Sequence, residues 1–323
     1  MSHGERRFFV IIPVHNRLEP TRYVLSCLQA QQDVALQVYV VDDGSTDGTG
    51  PFLEEVERQD SRVHRLVGDG NLWWTGGVHK GIQEVAPLLG AGDVVVLMNN
   101  DVHVEADFLA NAGGLLARYP QAVLSALAVD AHAKTIGSLG SVMVSWPLAL
   151  TIQPYYGEPM SVRETMPEVI ALDFLGAYGT FFPAEVIRKI GNVNVAKLPH
   201  YHADGEFSNR AKRAGFALYV CRDLLLYYDT TTTGSFNSFG KRYRWSEFLR
   251  SLTDIRSVNN LRYRWNLAML CAPWYYAPAY FFSDTLKMLL RSLVMMLGHE
   301  QVPKMRRLAN RVGASVRGNR RAG

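Results

Sequence analysis

Three acidic clusters in this sequence of 323 residues have the residue types and spacing to do chemistry. The first is Asp42-Asp43-Gly44-Ser45. Its carboxylates can accept hydrogen bonds from a base or a ribose, and Gly44 permits close backbone approach. It also reads as a loop before a helix, with Ser45, Thr46 or Asp47 as the cap. The second, Asn99-Asn100-Asp101, follows the apolar run Val94-Val95-Val96-Leu97-Met98. One carboxylate completed by phosphate oxygens and water suits Mg²⁺ or Mn²⁺, hard cations that take oxygen ligands. Such a metal is a Lewis acid for a departing diphosphate. Asn-Asn-Asp after a strand is good turn chemistry as well. The third is His202-Ala203-Asp204-Gly205-Glu206. It sets a carboxylate at a loop–helix junction, where a general base could reach an acceptor hydroxyl. Acidic residues there also stabilise a helix N-terminus without any catalytic role.

Between the first two clusters lies Gly70-Asn71-Leu72-Trp73-Trp74-Thr75-Gly76-Gly77. Paired tryptophans in a Gly-rich loop offer flat faces for a base or a sugar. The spacing is not that of the dinucleotide fingerprint, and the chain contains no P-loop.

These clusters need strand ends to hold them. Phe8 to Ile12, Gln37 to Val41, Val63 to Leu66 and Val94 to Met98 read as strands. Leu18 to Gln31, Thr49 to Gln59 and Val78 to Leu88 have helical spacing between them, with Gly68 to Gly77 as a loop. The alternation predicts an α/β fold: a mostly parallel, Rossmann-like sheet with helices on both faces. Ligands of such sheets sit at the carboxyl ends of the strands. Further on, Phe108 to Tyr119 reads as a helix, followed by short strands separated by Gly and Pro. Phe174 to Phe182 reads as a buried strand region, Ala184 to Ile190 and Asp204 to Ala214 as helices, and Leu218 to Cys221 and Leu224 to Tyr228 as late strands.

The net charge of +4 is unevenly spread. Residues 240–323 carry 16 Lys or Arg against 4 Asp or Glu, a balance of +12, which leaves −8 for the rest. Asn266 to Ser283 is uncharged, but Pro273 and Pro278 interrupt it, which argues against a spanning helix. Beyond it Asp284, Lys287 and Arg291 share one helical face, and Leu286, Leu289, Leu290, Leu293 and Met296 another. Lys304, Arg306, Arg307, Arg311, Arg317, Arg320 and Arg321 follow. Two readings stand: a core-docking helix with a solvated basic tail, or a helix lying in a membrane interface. No nucleic-acid module is recognised, so nucleic acid is not an expected partner. Cys27, Cys221 and Cys271 have no metal or disulfide spacing. With no signal-peptide core after the polar N-terminus, the expected location is the cytoplasm, on the inner face of the cell membrane.

Taken together, these residues resemble the family-2 glycosyltransferases of GT-A fold over roughly residues 8 to 235. Val10-Ile11-Ile12-Pro13-Val14-His15-Asn16-Arg17 looks like that family's first strand and loop, and Val40-Val41-Asp42-Asp43-Gly44-Ser45-Thr46-Asp47 like its nucleotide-binding motif. The resemblance implies Asp43 on the base, Asp101 on the metal at the place of the DXD motif, and Asn100 near the ribose or donor sugar. Pro13, His15, Asn16, Trp73, Trp74 and Gly77 join them on the donor side. Asp204 matches the family's base, with His202 and Glu206 on the acceptor side or behind it. Asp229 stands where many relatives place a metal-binding His. The Trp73-Trp74-Thr75-Gly76-Gly77 segment and the basic tail are similar to rhamnosyltransferase-like members that build bacterial surface polysaccharides such as O-antigen.

The resemblance thus implies an inverting, metal-dependent enzyme using Mg²⁺ or Mn²⁺. It would move a sugar, rhamnose among the candidates, from a TDP- or UDP-linked donor to a glycan or lipid-linked acceptor. The implied organisation is a GT-A domain over 1–238, with a nucleotide-sugar half (1–107) and an acceptor half (108–238). A basic, amphipathic helical extension follows over 239–323, and a homo-oligomer is compatible with it. The single carboxylate in the DXD place keeps a second reading open, a catalytically silent sugar-nucleotide-binding or scaffold protein. A nucleotidyltransferase would share the α/β layout, but the Gly- and Lys-rich opening such enzymes use is missing.

Overall fold

The computed structural model describes residues 6–228 and 244–296. Asp229 and the basic run from Lys304 to Arg321 lie outside the described residues.

The first half alternates as the sequence predicts. Strands β1 (Arg7–Val14), β2 (Ala35–Asp42), β3 (Val63–Val67) and β4 (Val94–Leu97) are linked by helices α1 (Leu18–Gln29), α2 (Thr49–Gln59) and α3 (Trp73–Val85). After the short β5 (Val102–His103) come α4 (Phe108–Arg118), β6 (Ala122–Asp130) and a hairpin of β7 (Val142–Ser145) and β8 (Leu150–Ile152). Then follow β9 (Val169–Ala171), β10 (Thr180–Pro183), α5 (Ala184–Ile190), α6 (Ala203–Arg213) and β11 (Ala217–Tyr228). The order in the main sheet is β3-β2-β1-β4-β10-β6-β11-β5, with β9 also on β11. Strands β1 to β4 run parallel, as do β6 and β11, while β10 is antiparallel to both β4 and β6. The sheet is therefore mostly parallel, as expected.

Side-chain alternation in β1 divides the core into two layers. Phe8, Val10, Ile12 and Val14 face α1, α2 and α4, while Phe9 and Ile11 face α3, α5 and α6. The close spacing of α3 on the sheet depends on glycine. A Cβ on Gly77 would stand 2.7 Å from the Cβ of Pro13, and one on Gly81 would stand 2.4 Å from Ile11 Cγ2. Pro13 is a ring in a paired strand and cannot swing away. Gly77→Ala should therefore lose stability, by about 1–3 kcal/mol for overpacking, less up to about 1 kcal/mol gained in helix propensity. Denaturant melts measure it, and an unchanged midpoint would show that α3 can slide.

Four expectations need correction. The Gly- and Trp-rich stretch is not a loop up to Gly77: α3 begins at Trp73, so both tryptophans occupy its first turn. Phe174 to Phe182 is not one strand. Gly179 adopts φ +58, a left-handed setting; Thr180–Pro183 forms the strand, and Phe174 makes only an isolated bridge with Ser141. Residues 174–179 form an irregular approach that carries side chains toward the site. The two late strands are one, β11, with a register shift between Cys221 and Leu225. The strand β6 is buried along all nine residues, not one of several short strands.

The C-terminal part is helical: α7 (Trp245–Ser251), α8 (Leu261–Cys271) and α9 (Ala277–Met296). Pro273 and Pro278 fall between α8 and the first turn of α9, where proline is tolerated. Leu198, Ala203 and Tyr263 form a small core joining α6 to α8, with Trp74, Ile255 and Leu270 packed against it. The side of α9 that faces the protein buries Ala277, Tyr280 and Met288 and also carries polar residues. Ser283 donates to the Pro147 carbonyl (2.8 Å), Lys287 to the Ala149 carbonyl (2.7 Å), and Asp284 pairs with Arg264. Leu286, Leu289, Leu290 and Leu293 are exposed, against the first of the two readings, in which they would dock on the core.

Candidate functional site

The carboxyl ends of β1, β2 and β4 open on one side of the sheet, and the sequence-nominated donor residues gather there. Beyond β1, the His15 ring nitrogen Nδ1 lies 2.6 Å from the Asp43 carbonyl. The Asn16 side-chain oxygen accepts the Thr46 backbone N–H at 2.7 Å, and its own N–H donates to Ser45 Oγ at 2.9 Å. The loops after β1 and β2 are thus laced together. Pro13, one step back, is paired with Val41 inside the sheet and packs on Gly77. Both residues set the spacing of α3 behind the site.

The two aspartates of the first cluster do different work. Asp42 is buried, paired with Arg65 (2.9 Å), and accepts the Ser45 N–H. Asp43 is also buried. One of its oxygens accepts the Gly70 N–H (2.8 Å) and the other the Trp73 N–H (3.1 Å). Each carboxylate oxygen has a second lone pair to offer. Asp43 therefore both anchors the entry to α3 and can meet a donor group from a ligand. Trp73 sits at φ +56, an outlier for a bulky residue, and its ring lies 5.6 Å from that of His200. Burial lowers the His200 pKa to about 4, so the ring is neutral.

The second cluster is divided in the same way. Trp74 donates its indole N–H to the Asn99 side-chain oxygen at 3.0 Å. Asn100 is buried and donates its amide N–H to Thr21 Oγ1 at 3.1 Å. Asp101 is half-buried at the same strand end. Among the described residues no three His, Cys, Asp or Glu side chains gather into a complete metal cage. With both amides engaged by the protein, Asp101 supplies the carboxylate of the cluster. That donor set fits a hard cation completed by diphosphate oxygens and water, and would not make a dedicated all-protein cage. The other metal candidate, Asp229, lies outside the described residues.

The third cluster opens α6. His202 takes the left-handed φ +69 just before the helix. Its Nε2 lies 3.4 Å from the Val258 carbonyl. Burial, then Arg264, lowers its pKa to about 4. This ring faces the C-terminal helices. Asp204 lies in the first turn of α6 and accepts the Gly205 N–H at 2.8 Å. Burial raises its pKa above the ordinary carboxylate value, against the opposing pull of backbone N–H groups that include Ala177. Glu206 is buried and bonded to Arg210 at 2.9 Å, and Arg210 in turn donates to the Asn192 carbonyl at 3.0 Å. It braces α6 and is not turned toward the site.

One residue of this centre carries no mark in the sequence: Tyr178. Burial pushes its hydroxyl pKa up, and the charges of Asp101 and then Asp204 push it the same way. Tyr178 itself is half-buried. Tyr178 and Asp204 flank Gly176: a Cβ there would stand 3.2 Å from the tyrosine ring and 3.8 Å from Asp204 Oδ2. Gly176 keeps this space open. The only sequence signal was the pair of glycines around an aromatic in an apolar run.

Residues 9–138 match the family model described as Glycosyl transferase family 2. No curated protein matches the chain. Among solved structures, a mannosyltransferase from Pyrobaculum calidifontis in complex with GDP-Man and Mn²⁺ is similar at 14% identity and a TM-score of 0.52, over 98% of this chain and 81% of that one. S. aureus TarS residues 1–349 is similar at 14% identity and a TM-score of 0.53, over 91% and 92%. GalNAc-T7 with UDP, GalNAc and Mn²⁺ gives 11% identity and a TM-score of 0.55, over 91% of this chain and 58% of that one. The described fold is accordingly the GT-A fold.

Proposed function

We propose that the chain is an inverting, metal-dependent glycosyltransferase. The observation that carries this reading is the gathering of Asp43, bonded to the Gly70 and Trp73 N–H groups, and of Asn99, bonded to Trp74 two residues before Asp101, at the carboxyl ends of the parallel strands that flank β1. Asp43, His15 and Asn16 form the nucleotide end, with Trp73 and Trp74 over the donor. Asp101, joined by Asp229 on the reading of the sequence, would hold Mg²⁺ or Mn²⁺. The ion supplies Lewis-acid stabilisation of the departing diphosphate. Asp204 takes the proton of an acceptor hydroxyl. The oxygen attacks the anomeric carbon while the bond to the diphosphate oxygen breaks, and the diphosphate leaves with the electron pair. One displacement inverts the centre. His202 and Glu206 hold α6, and so hold Asp204 in place.

The donor is a nucleoside-diphosphate sugar, TDP- or UDP-linked, with rhamnose as the proposed sugar. The acceptor is a hydroxyl of a glycan or lipid-linked glycan in surface polysaccharide synthesis, met at the cytoplasmic side of a membrane. GDP-Man with Mn²⁺ in one similar structure, and UDP, GalNAc and Mn²⁺ in another, support the donor class and the metal. No described helix is long and apolar enough to cross a membrane, which fits attachment at the surface.

A thermal-shift panel of nucleotide sugars with and without Mn²⁺ tests this without knowledge of the acceptor. The cognate donor at a hundredfold excess over Kd should add about 2.7 kcal/mol of apparent stability, with a larger gain when Mn²⁺ is present. No shift with any nucleotide sugar would remove the donor reading. A shift without release of nucleoside diphosphate under any condition would favour a silent binding module.

A further inference from the structure

The helix α9 buries only part of its apolar surface. Its protein-facing side packs Ala277, Tyr280 and Met288 and is bonded to the protein through Ser283, Asp284 and Lys287. Those bonds fix the rotation of the helix. Phe282 is left 69% exposed, Leu286 56% and Leu290 54%, with Leu293 beside them. At the corner before the helix, Trp274 is 82% exposed. Single exposed leucines are ordinary; a contiguous apolar stripe marks an interaction surface.

We propose that this face of α9, with the Trp274 corner, docks on an anionic lipid bilayer and lies in its plane. Three observations select a bilayer as the occupant. Trp274 is followed by Tyr275 and Tyr276, both exposed, and amphipathic rings of these types settle at the membrane–water interface. The chain beyond Met296 holds Lys304, Arg306, Arg307, Arg311, Arg317, Arg320 and Arg321 against the single acidic residue Glu300. That charge complements anionic headgroups and opposes close approach of a second copy. At 20 residues α9 is about 30 Å long, which gives a continuous apolar edge to bury at the acyl boundary. The inference specifies the membrane-facing surface of the reading above and does not depend on the donor.

Flotation of the full chain with phosphatidylcholine vesicles, with and without phosphatidylglycerol, tests it. Wild type should float with the anionic vesicles and be released by raised salt. Leu286→Glu with Leu290→Glu should weaken flotation at least tenfold, while its melting temperature and its shift with nucleotide sugar stay unchanged. Brominated acyl chains should quench tryptophan emission in wild type, and Trp274→Phe should remove most of that quenching. Three results would overturn the proposal: wild type that does not float, a Glu pair variant that floats as well as wild type, or a dimer in light scattering that the Glu pair abolishes while vesicles bind neither protein. Loss of the nucleotide-sugar shift in wild type would instead strike the donor reading and leave the flotation result standing.

Discussion

Asp204→Asn should lower turnover about 10²- to 10⁴-fold, the span that general bases contribute, and leave donor binding at its wild-type value. Asn keeps the size of the side chain and an oxygen for the Gly205 N–H, but it cannot take a proton. The pH behaviour separates this from a structural defect. Burial holds the Asp204 pKa above the ordinary carboxylate value, and the base must be ionised to act. Wild-type kcat/KM should therefore rise as pH climbs through that raised pKa, and the variant should lose this limb. The stability effect has the opposite sign. A folded-state pKa above the unfolded one means that ionisation costs stability, with the full cost present above the folded value and absent below the unfolded value. At neutral pH the Asn variant should melt at the wild-type temperature or higher. Undiminished turnover by Asp204→Asn would remove this carboxylate from the mechanism. A melting temperature several degrees lower would mark it as structural.

Asp101→Ala should abolish the extra thermal shift that Mn²⁺ gives to the donor while sparing the shift from nucleotide alone. The reason is the thin donor set at the end of β4, where Asn99 and Asn100 are already engaged by Trp74 and Thr21. Loss of outer groups around a metal typically costs about 10–100-fold in affinity, so loss of a ligating carboxylate should cost at least that. A Mn²⁺ titration indistinguishable from wild type would take Asp101 out of the metal site. Because Asp43 and its neighbours stand on different strands, their contribution to nucleotide affinity should persist, and the two effects can be read on one protein.

Much of the first half was legible because its signals are local. Strands β1, β2 and β4 are largely apolar runs that end at or near Pro, Asp or Asn, and each helix between the strands has its own spacing. The start of α3 was not, because its first turn is set by the Asp43 carboxylate reaching across from β2. Paired tryptophans at a left-handed residue do not announce a helix. The strand β6 was missed because a buried, Ala-rich run has no alternation to read. Tyr178 was missed for a stronger reason: its place near Asp204 across Gly176 is made by the fold, and no sequence window contains both residues. Glu206 was legible as an acidic residue, but its partner was not: Arg210, one turn later, already binds it and keeps it from the site.

Trp74 has a consequence for how the molecule comes apart. Its indole N–H holds Asn99, two residues before Asp101, and its ring packs with Leu198, Ala203 and Tyr263. One side chain therefore belongs to the donor strand ends, to the base of α6 and to α8 at once. Opening any of these strips cover from the other two. Residues 245–296 should then not melt ahead of the rest: calorimetry should show one cooperative transition. A chain cut near residue 239 would lose order at Asn99-Asn100-Asp101 as well as a surface.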